Sequence, residues 1–319
     1  MPDAEYRGLL IIGDPHLEGR QPGFRRDDYP QVVLDKLGWC LEYARHQQLL
    51  PCILGDLFDK PRDNPTWMLV RLIEMLNVEV IGLYGNHDCA DPLLNDHDSL
   101  SLLVKAGCLR LLDEQTPWRG RMNGRTVVVG GSSYRQTIPA RFESAGDHEN
   151  EKPLVVWLAH HDILVPGYEE QGRIRPREIE GIDLVINGHI HRRLEDVQTG
   201  ATLWLTPGNI SRRCRNDATR DHVPAVLRID VEPGGWQRCA VEVPHRPFDE
   251  IFHEAVVEAQ FDASASAFVS GLAELQQRRT QSGCGLMEFL QQNLAQFDAA
   301  VGCEIMDLAQ EVTDNGPAA

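Results

Sequence analysis

The sequence predicts an α/β fold in which short buried strands alternate with amphipathic helices, and three observations predict it. Five short apolar runs are each followed at once by a polar turn bearing glycine or histidine. The segments between the early runs carry apolar residues at helical spacing. The overall balance, 42% hydrophobic and 25% charged over 319 residues, suits a globular chain with one large domain plus an appendage, or two modest domains.

The runs cover residues 9–12, 52–54, 78–83, 154–158 and 183–186. Between the first two, residues 31–46 place Val33, Leu37, Leu41 and Ala44 on one helical face. A second helix is expected to start at Asn64-Pro65, a cap followed by proline at the first helical position, with Met68, Leu69, Leu72, Ile73 and Leu76 as its apolar face. After Gly188, residues 203–205, 223–230 and 236–243 read as antiparallel strands, with Gly234-Gly235 as the turn between the last two. From residue 248 the chain becomes acidic and helical in pattern, with Phe268, Leu272 and Leu275, then Val301, Ile305, Leu308 and Val312, at helical spacing. The expected division is a catalytic domain over 1–247, a helical acidic extension over 248–312 and a disordered tail over 313–319.

Charge and cysteine usage narrow the function classes. The net charge of −17 argues against a surface that binds nucleic acid everywhere. The charge is uneven, because residues 245–319 hold 12 acidic and 3 basic side chains. The eight cysteines include no Cys-x-x-Cys pair, so a thiolate zinc site is not expected. They read as small buried hydrophobes of a reducing compartment, with Cys89, beside a polar motif, as the one to watch for oxidation. No run approaches about 18 apolar residues, and no leader-like start is seen, so a soluble cytoplasmic protein without membrane contact is expected.

The chemistry lies in what ends each run. The first ends in Asp14-Pro15-His16, the second in Gly55-Asp56-Leu57-Phe58-Asp59, and the third in Gly85-Asn86-His87-Asp88. The fourth ends in His160-His161 and the fifth in Gly188-His189-Ile190-His191. Strand ends of an α/β sheet lie together, so these groups converge. Gathering so many desolvated polar groups is costly without compensation, and metal ions supply it. Mixed oxygen and imidazole donors suit manganese, iron or zinc rather than calcium.

This ordered set resembles the calcineurin-like metallophosphoesterases, whose pattern is Asp-x-His, Gly-Asp-x-x-Asp, Gly-Asn-His-Asp/Glu, His and Gly-His-x-His. The resemblance covers about residues 7–210 and implies a four-layer α-β-β-α sandwich. It implies two divalent transition metals, manganese first and iron or zinc as alternatives. One would take Asp14, His16, Asp56 and His191, the other Asp56, Asn86, His160 and His189, with His161 as the alternative to His160. It gives His87 the role of protonating the leaving oxygen or stabilising the transition state, and Asp88 is expected to hold its imidazole. Asp59 reads equally well as a turn residue or a hydrogen-bond acceptor behind the ligands.

The residues after Asp59 narrow the phosphoester class. Lys60-Pro61 and Asp88 depart from the Ser/Thr phosphatase pattern of Asp-Arg-Gly and Gly-Asn-His-Glu. Pro65 and Pro207-Gly208-Asn209-Ile210-Ser211-Arg212 are similar to segments of the SbcD-type DNA-repair nucleases, nearest the stand-alone MPE nucleases of bacterial Lhr-helicase clusters. That resemblance implies a manganese-dependent DNA endonuclease acting on single-stranded or branched DNA, with a repair helicase and a second copy of the chain as partners. Arg25, Arg26, Arg192 and Arg212 lie on loops expected to ring the metals and to hold substrate phosphates, although Arg outnumbers Lys 27 to 4 throughout. Tyr134-Arg135 and Trp204 could stack on bases, with a core position the better reading for Trp204. The alternatives are a small-molecule phosphodiesterase acting on cyclic or nucleotide-linked substrates, and a catalytically dead scaffold. The scaffold reading is disfavoured because every ligand histidine is kept.

Overall fold

In the computed structural model, which describes residues 6–22, 24–144, 152–215 and 217–253, the strands form two six-stranded sheets. The expected helical extension beyond residue 253, the expected disordered tail, and Cys284 and Cys303 lie outside the described residues. In chain order the elements are β1 (Gly8–Ile12), α1 (Tyr29–Gln47), β2 (Leu49–Ile53), α2 (Thr66–Met75), β3 (Ile81–Gly82), α3 (Ser99–Lys105), β4 (Arg110–Leu111), β5 (Trp118–Met122) and β6 (Arg125–Ser132). There follow β7 (Leu154–Ala159), β8 (Leu184–Asn187), β9 (Val197–Thr199), β10 (Thr202–Leu205), α4 (Asp217–Asp221), β11 (Ala225–Glu232), β12 (Gly235–Glu242) and α5 (Phe248–Ile251).

The first sheet runs β12-β11-β1-β2-β3-β4 and the second β5-β6-β7-β8-β10-β9. In the first, β1 to β4 are parallel neighbours, and β11 joins β1 antiparallel from the other side. In the second, β6, β7, β8 and β10 are parallel, with β5 and β9 antiparallel at the edges. Strand alternation sends one set of side chains between the sheets, where Leu9, Ile11, Leu50 and Cys52 meet Val127, Val129, Val156 and Ile186. The opposite set on the first sheet, Leu10, Ile12 and Ile53, packs under Val33, Leu37, Met68, Leu72 and Leu100 of the three helices. The outer face of the second sheet carries Val155, Trp157, Val185 and Trp204 against Ile138, Phe142, Ile163 and Ile179, all from loops. The structure is therefore an α/β sandwich, with its described helical cover on the first sheet.

Helix α1 forms where the 3.6-residue spacing predicts it. Asp28 caps it by accepting from the Gln31 amide, proline sits in its first turn, and Gln48 ends it in the left-handed region. Helix α2 departs from expectation at its start. Pro65 is the cap residue rather than the first helical one, and Asn64 instead donates to the Lys60 carbonyl and Ser99. Ile73 of its expected apolar face is exposed. Strand β10 is parallel to β8, so residues 203–205 are antiparallel on one side only. The β11–β12 register pairs Glu232 with Gly235, which makes Pro233-Gly234 the turn and puts Gly235 in the strand. Cys214 and Cys239 are exposed, against the expectation that the cysteines are core residues, while Cys89 is buried with its thiol pushed up to about 11 by burial. Residues 248–253 belong to the same compact unit as the sheets, since Phe248, Ile251 and Phe252 are buried and the Arg26 amide donates to the Ile251 carbonyl. No helix among the described residues is long and apolar enough to cross a membrane.

Candidate metal centre

The polar turns that end β1, β2, β3, β7 and β8 meet at the carboxyl ends of the parallel strands. The first two interlock, with the His16 amide donating to the Asp56 carbonyl at 2.9 Å and the Leu17 amide to the Leu57 carbonyl at 2.8 Å. Four of the expected ligands, Asp14, His16, Asp56 and His189, have positive φ of 36°, 49°, 47° and 71°. Non-glycine residues held there cost of order 1–3 kcal/mol each and persist where surrounding structure over-determines them. Gly85 allows a close approach, because a Cβ there would lie 2.0 Å from Asp56 Oδ1.

Among the described residues three donor clusters result; two share Asp56, and His16, Asp59 and His87 form the third. Asp14, His16, Asp56 and His191 each offer an atom within 4.8 Å of the others, and so do Asp56, His160 and His189. Asn86 belongs to the second, its Oδ1 lying 2.9 Å from His189 Nδ1 and 3.3 Å from His160 Nε2. Asp56 stands in both. Its Oδ1 accepts from the His87 amide, while Oδ2 lies 3.6 Å from His16 Nε2 and 3.3 Å from His160 Nε2. Thus the structure gathers all seven expected ligands into the two expected sets. His160, rather than His161, faces Asp56; the His161 backbone is pinned by Asn187, and its ring is held down at about 4 by burial and by His160.

The unmet valences of the site fit metal ions. Among the described residues, Asp14 Oδ2 and Asp56 Oδ2 are buried without a hydrogen-bond partner. His16 Nε2 and His191 Nε2 lie 2.9 Å apart. Ligand nitrogens at about 2.1 Å from one ion and at right angles to each other would be about 3.0 Å apart. The ring orientations agree. His160 Nδ1 donates to the Leu54 carbonyl at 2.8 Å, leaving Nε2 with its lone pair toward the site. His189 Nε2 meets Asp162 Oδ1 at 2.9 Å, leaving Nδ1 toward Asn86. The residues therefore fit two cations.

Charge perturbation follows the same map. Burial lowers the His160 pKa, but Asp56 and then Asp14 outweigh it and raise it to about 9. Burial raises the Asp14 carboxyl, whereas for Asp56 the burial penalty is overcome by His160 and His16, which hold it low. Burial holds His87 below the usual imidazole range.

Three roles differ from expectation. Asp88 does not hold the His87 ring. It accepts from the Leu57, Phe58 and Gly85 amides and so ties the second and third loops together, and burial and Asp56 raise its carboxyl to about 7. The His87 ring is oriented by Asp59, whose carbonyl accepts from Nδ1 at 2.8 Å. Of the four expected substrate arginines, Arg25 and Arg212 turn inward. Arg25 pairs with Asp27 and packs over Tyr29 and Phe252, and Arg212 donates to the His222 and Arg246 carbonyls. Arg26 and Arg192 are exposed, Arg192 bonding the Gly167 carbonyl.

Arg213, the residue after Arg212, pairs with carboxylates beside the metal centre. It lies 3.0 Å from Asp59 and 2.9 Å from Glu18, and Asp59 Oδ1 is 3.5 Å from His16 Nδ1. The sequence places it with Arg212 and Arg215 in the arginine cluster that follows the Pro207-Gly208 segment, on a loop expected near the metals. Asp162 was legible only as the residue after His160-His161. Tyr134 stacks on His189 at 6.2 Å and 26°, and buried Trp204 donates to the Arg177 carbonyl as a core residue would.

A family model described as calcineurin-like phosphoesterase matches residues 8–193. Among solved structures the chain is similar to a hypothetical protein from Thermus thermophilus, with TM-score 0.41 and 14% identity, covering 74% of this chain and 99% of that one. It is also similar to a conserved uncharacterized protein, titled a predicted phosphoesterase, from Streptococcus pneumoniae, with TM-score 0.29, 12% identity and coverage of 74% and 98%. A third is Vps29 from Chaetomium thermophilum, with TM-score 0.31, 14% identity and coverage of 76% and 97%. No curated protein matches the chain. The family match takes in all five strand-end motifs, from Asp14 to His191, and on it the chain belongs to the calcineurin-like phosphoesterases.

Proposed function

We propose that the protein hydrolyses phosphodiester bonds in DNA, as a manganese-dependent endonuclease of DNA repair. The observation that carries the hydrolytic reading is the pair of donor clusters sharing Asp56, each with a buried carboxylate oxygen lacking a hydrogen-bond partner. Asp14, His16, Asp56 and His191 would hold one ion, and Asp56, Asn86, His160 and His189 the other. Two bound ions would neutralise the phosphate and supply hydroxide near neutral pH.

The chain's own residues do the rest. The shared Oδ2 of Asp56, between His16 and His160, fixes the spacing of the two subsites. The Asp59 carbonyl accepts from His87 Nδ1, so in the imidazolium form Nε2 is the nitrogen whose proton is free to pass to the leaving oxygen. The T-shaped contact of His87 with His16, at 4.8 Å, keeps that ring beside the first subsite.

A diester rather than a phosphoprotein substrate is supported by Lys60-Pro61 after Asp59 and by the Pro207-Gly208 loop. That loop packs directly on the first motif, with the Ile210 amide donating to the Gly13 carbonyl. The likeness to the SbcD-type nucleases and to the MPE nucleases of Lhr-helicase clusters supports single-stranded or branched DNA as substrate, a helicase partner, a homodimer and a cytoplasmic setting. The second reading, a small-molecule phosphodiesterase, gains from the inward turn of Arg25 and Arg212, which thins the expected basic rim. The test is incubation with manganese and closed circular single-stranded DNA or, separately, a cyclic nucleotide, with Asp56→Ala as control. Cutting of the circle by the native chain alone supports the endonuclease. An intact circle with cyclic nucleotide hydrolysis replaces it with the small-molecule reading.

A further inference from the structure

A second concentration of buried charge lies outside the metal centre, and its sign is opposite. Arg25 from the loop after β1, Lys36 from α1 and Arg212 from the loop after β10 line one cavity of about 290 Å³, with Asp27 and Arg246 also at its wall. Arg25, Lys36 and Arg212 are 6%, 9% and 6% exposed.

The charges can be paired off. Arg25 makes a two-point bond with Asp27 at 2.8 and 2.7 Å, and Arg246 meets Glu250 at 3.4 Å. Lys36 Nζ donates to the Ile210 carbonyl at 3.0 Å. Arg212 donates to the His222 carbonyl at 2.8 Å and the Arg246 carbonyl at 3.0 Å. Carbonyls satisfy hydrogen bonds but bring no net charge, so two cations remain without a carboxylate among the described residues. Other arginines here are treated differently: Arg213 has Asp59 and Glu18, and Arg228 has Asp230.

A buried cation without a counterion is costly, and the cost shows. Burial, with Arg25 and Arg212 beside it, lowers Lys36 to about 8, and burial and Arg25 lower Arg212. At neutral pH Lys36 remains an ammonium with three donors, one of them used. A phosphate group with one ester bond or none carries about −1.5 to −2 at pH 7 and offers at least three acceptor oxygens. It matches both the unpaired charge and the unused donors.

We propose that this cavity binds a phosphate dianion, either inorganic phosphate or the terminal phosphate of a nucleic acid strand. The site is separate from the metal centre, and the inference does not depend on which diester the enzyme cleaves. Lys36→Met keeps the side chain's aliphatic stem and removes its charge, and Asp56→Ala removes the shared metal ligand.

Calorimetric titration of the full chain with inorganic phosphate tests it. One phosphate per chain is expected to bind in Asp56→Ala, and Lys36→Met in that background weakens it about 10- to 100-fold. As a measurement independent of that second substitution, phosphate should raise the Tm of Asp56→Ala above that in chloride of equal ionic strength. Loss of all phosphate binding in Asp56→Ala, equal affinity with and without Lys36, or no rise in Tm would each overturn the proposal. Competition by a 5′-phosphorylated but not a 5′-hydroxyl oligonucleotide assigns the site to strand ends. Competition by neither, with phosphate binding retained, assigns it to free phosphate.

Discussion

The metal centre and the cationic cavity are built by the same device with opposite sign. In the first, Asp14 and Asp56 are buried with oxygens that no hydrogen bond meets. In the second, Lys36 and Arg212 are buried with carbonyls as their hydrogen-bond acceptors and no carboxylate bonded to them among the described residues. A protein that pairs Arg228 with Asp230 and Arg62 with Asp98 has no general difficulty in matching its charges. An unmatched buried charge therefore specifies its missing counterion: divalent cations in one place, an oxyanion in the other.

The largest expected effect comes from removing the charge shared by both metal subsites. Asp56→Ala should take manganese-dependent hydrolysis to background and leave fewer than two ions per chain by atomic absorption, with the circular dichroism spectrum unchanged. Next, His87→Ala should lower kcat by about 10²–10⁴-fold with two ions still bound. A loss of metal along with activity would instead make His87 a ligand.

Arg213 sharpens the contrast, because it is a cation with two carboxylate partners and it stands behind His16. Arg213→Met should weaken manganese binding about 10- to 100-fold at the subsite containing His16 and spare the other, read by titration of the two sites. Equal affinity at both would reduce Arg213 to a packing residue.

The smallest effect concerns stability. In phosphate-free buffer Lys36→Met should be more stable than the native chain by about 1–4 kcal/mol at pH 7. The folded chain holds Lys36 at about 8 against 10.5 unfolded, so the unfolded chain binds more protons between those values. Native stability attributable to Lys36 therefore rises with pH across that window, and the gap to Lys36→Met should close as pH 10.5 is approached. Urea midpoints measured for both proteins from about pH 7 to 10 check the slope. A gap that widens with pH removes the argument from burial.

The ligands were legible because each sits where a short apolar run breaks, and strand-end convergence in an α/β sheet needs no side-chain detail. Strand β6 was not, although residues 127–129 are buried, because it ends in Ser132 rather than in a metal-binding group and its partner β5 alternates Trp118, Gly120 and Met122 with Arg119 and Arg121. The arginines fail for a different reason. Sequence position puts Arg25, Arg212 and Arg213 on loops near the site, but a long side chain can reach either way from its Cα. Which way it turns depends on the acceptors the fold brings to it, Asp27 and the His222 carbonyl in two cases and Asp59 in the third. Asp88 shows the same limit at closer range, since adjacency to His87 suggested a pairing that three backbone amides take instead.

The place of β1 between β2 and β11 has a consequence for how the molecule is made. One neighbour of Gly8 is Leu49, but the other is Asp230. At about 5–20 residues per second, roughly 10–40 s of translation separate the two. Throughout that interval Leu9, Leu10, Ile11 and Ile12 present an open strand edge, the kind of segment that pairs with other chains. A fragment that stops after His191 would hold every metal ligand and still never close that edge, and its fate should be aggregation rather than catalysis.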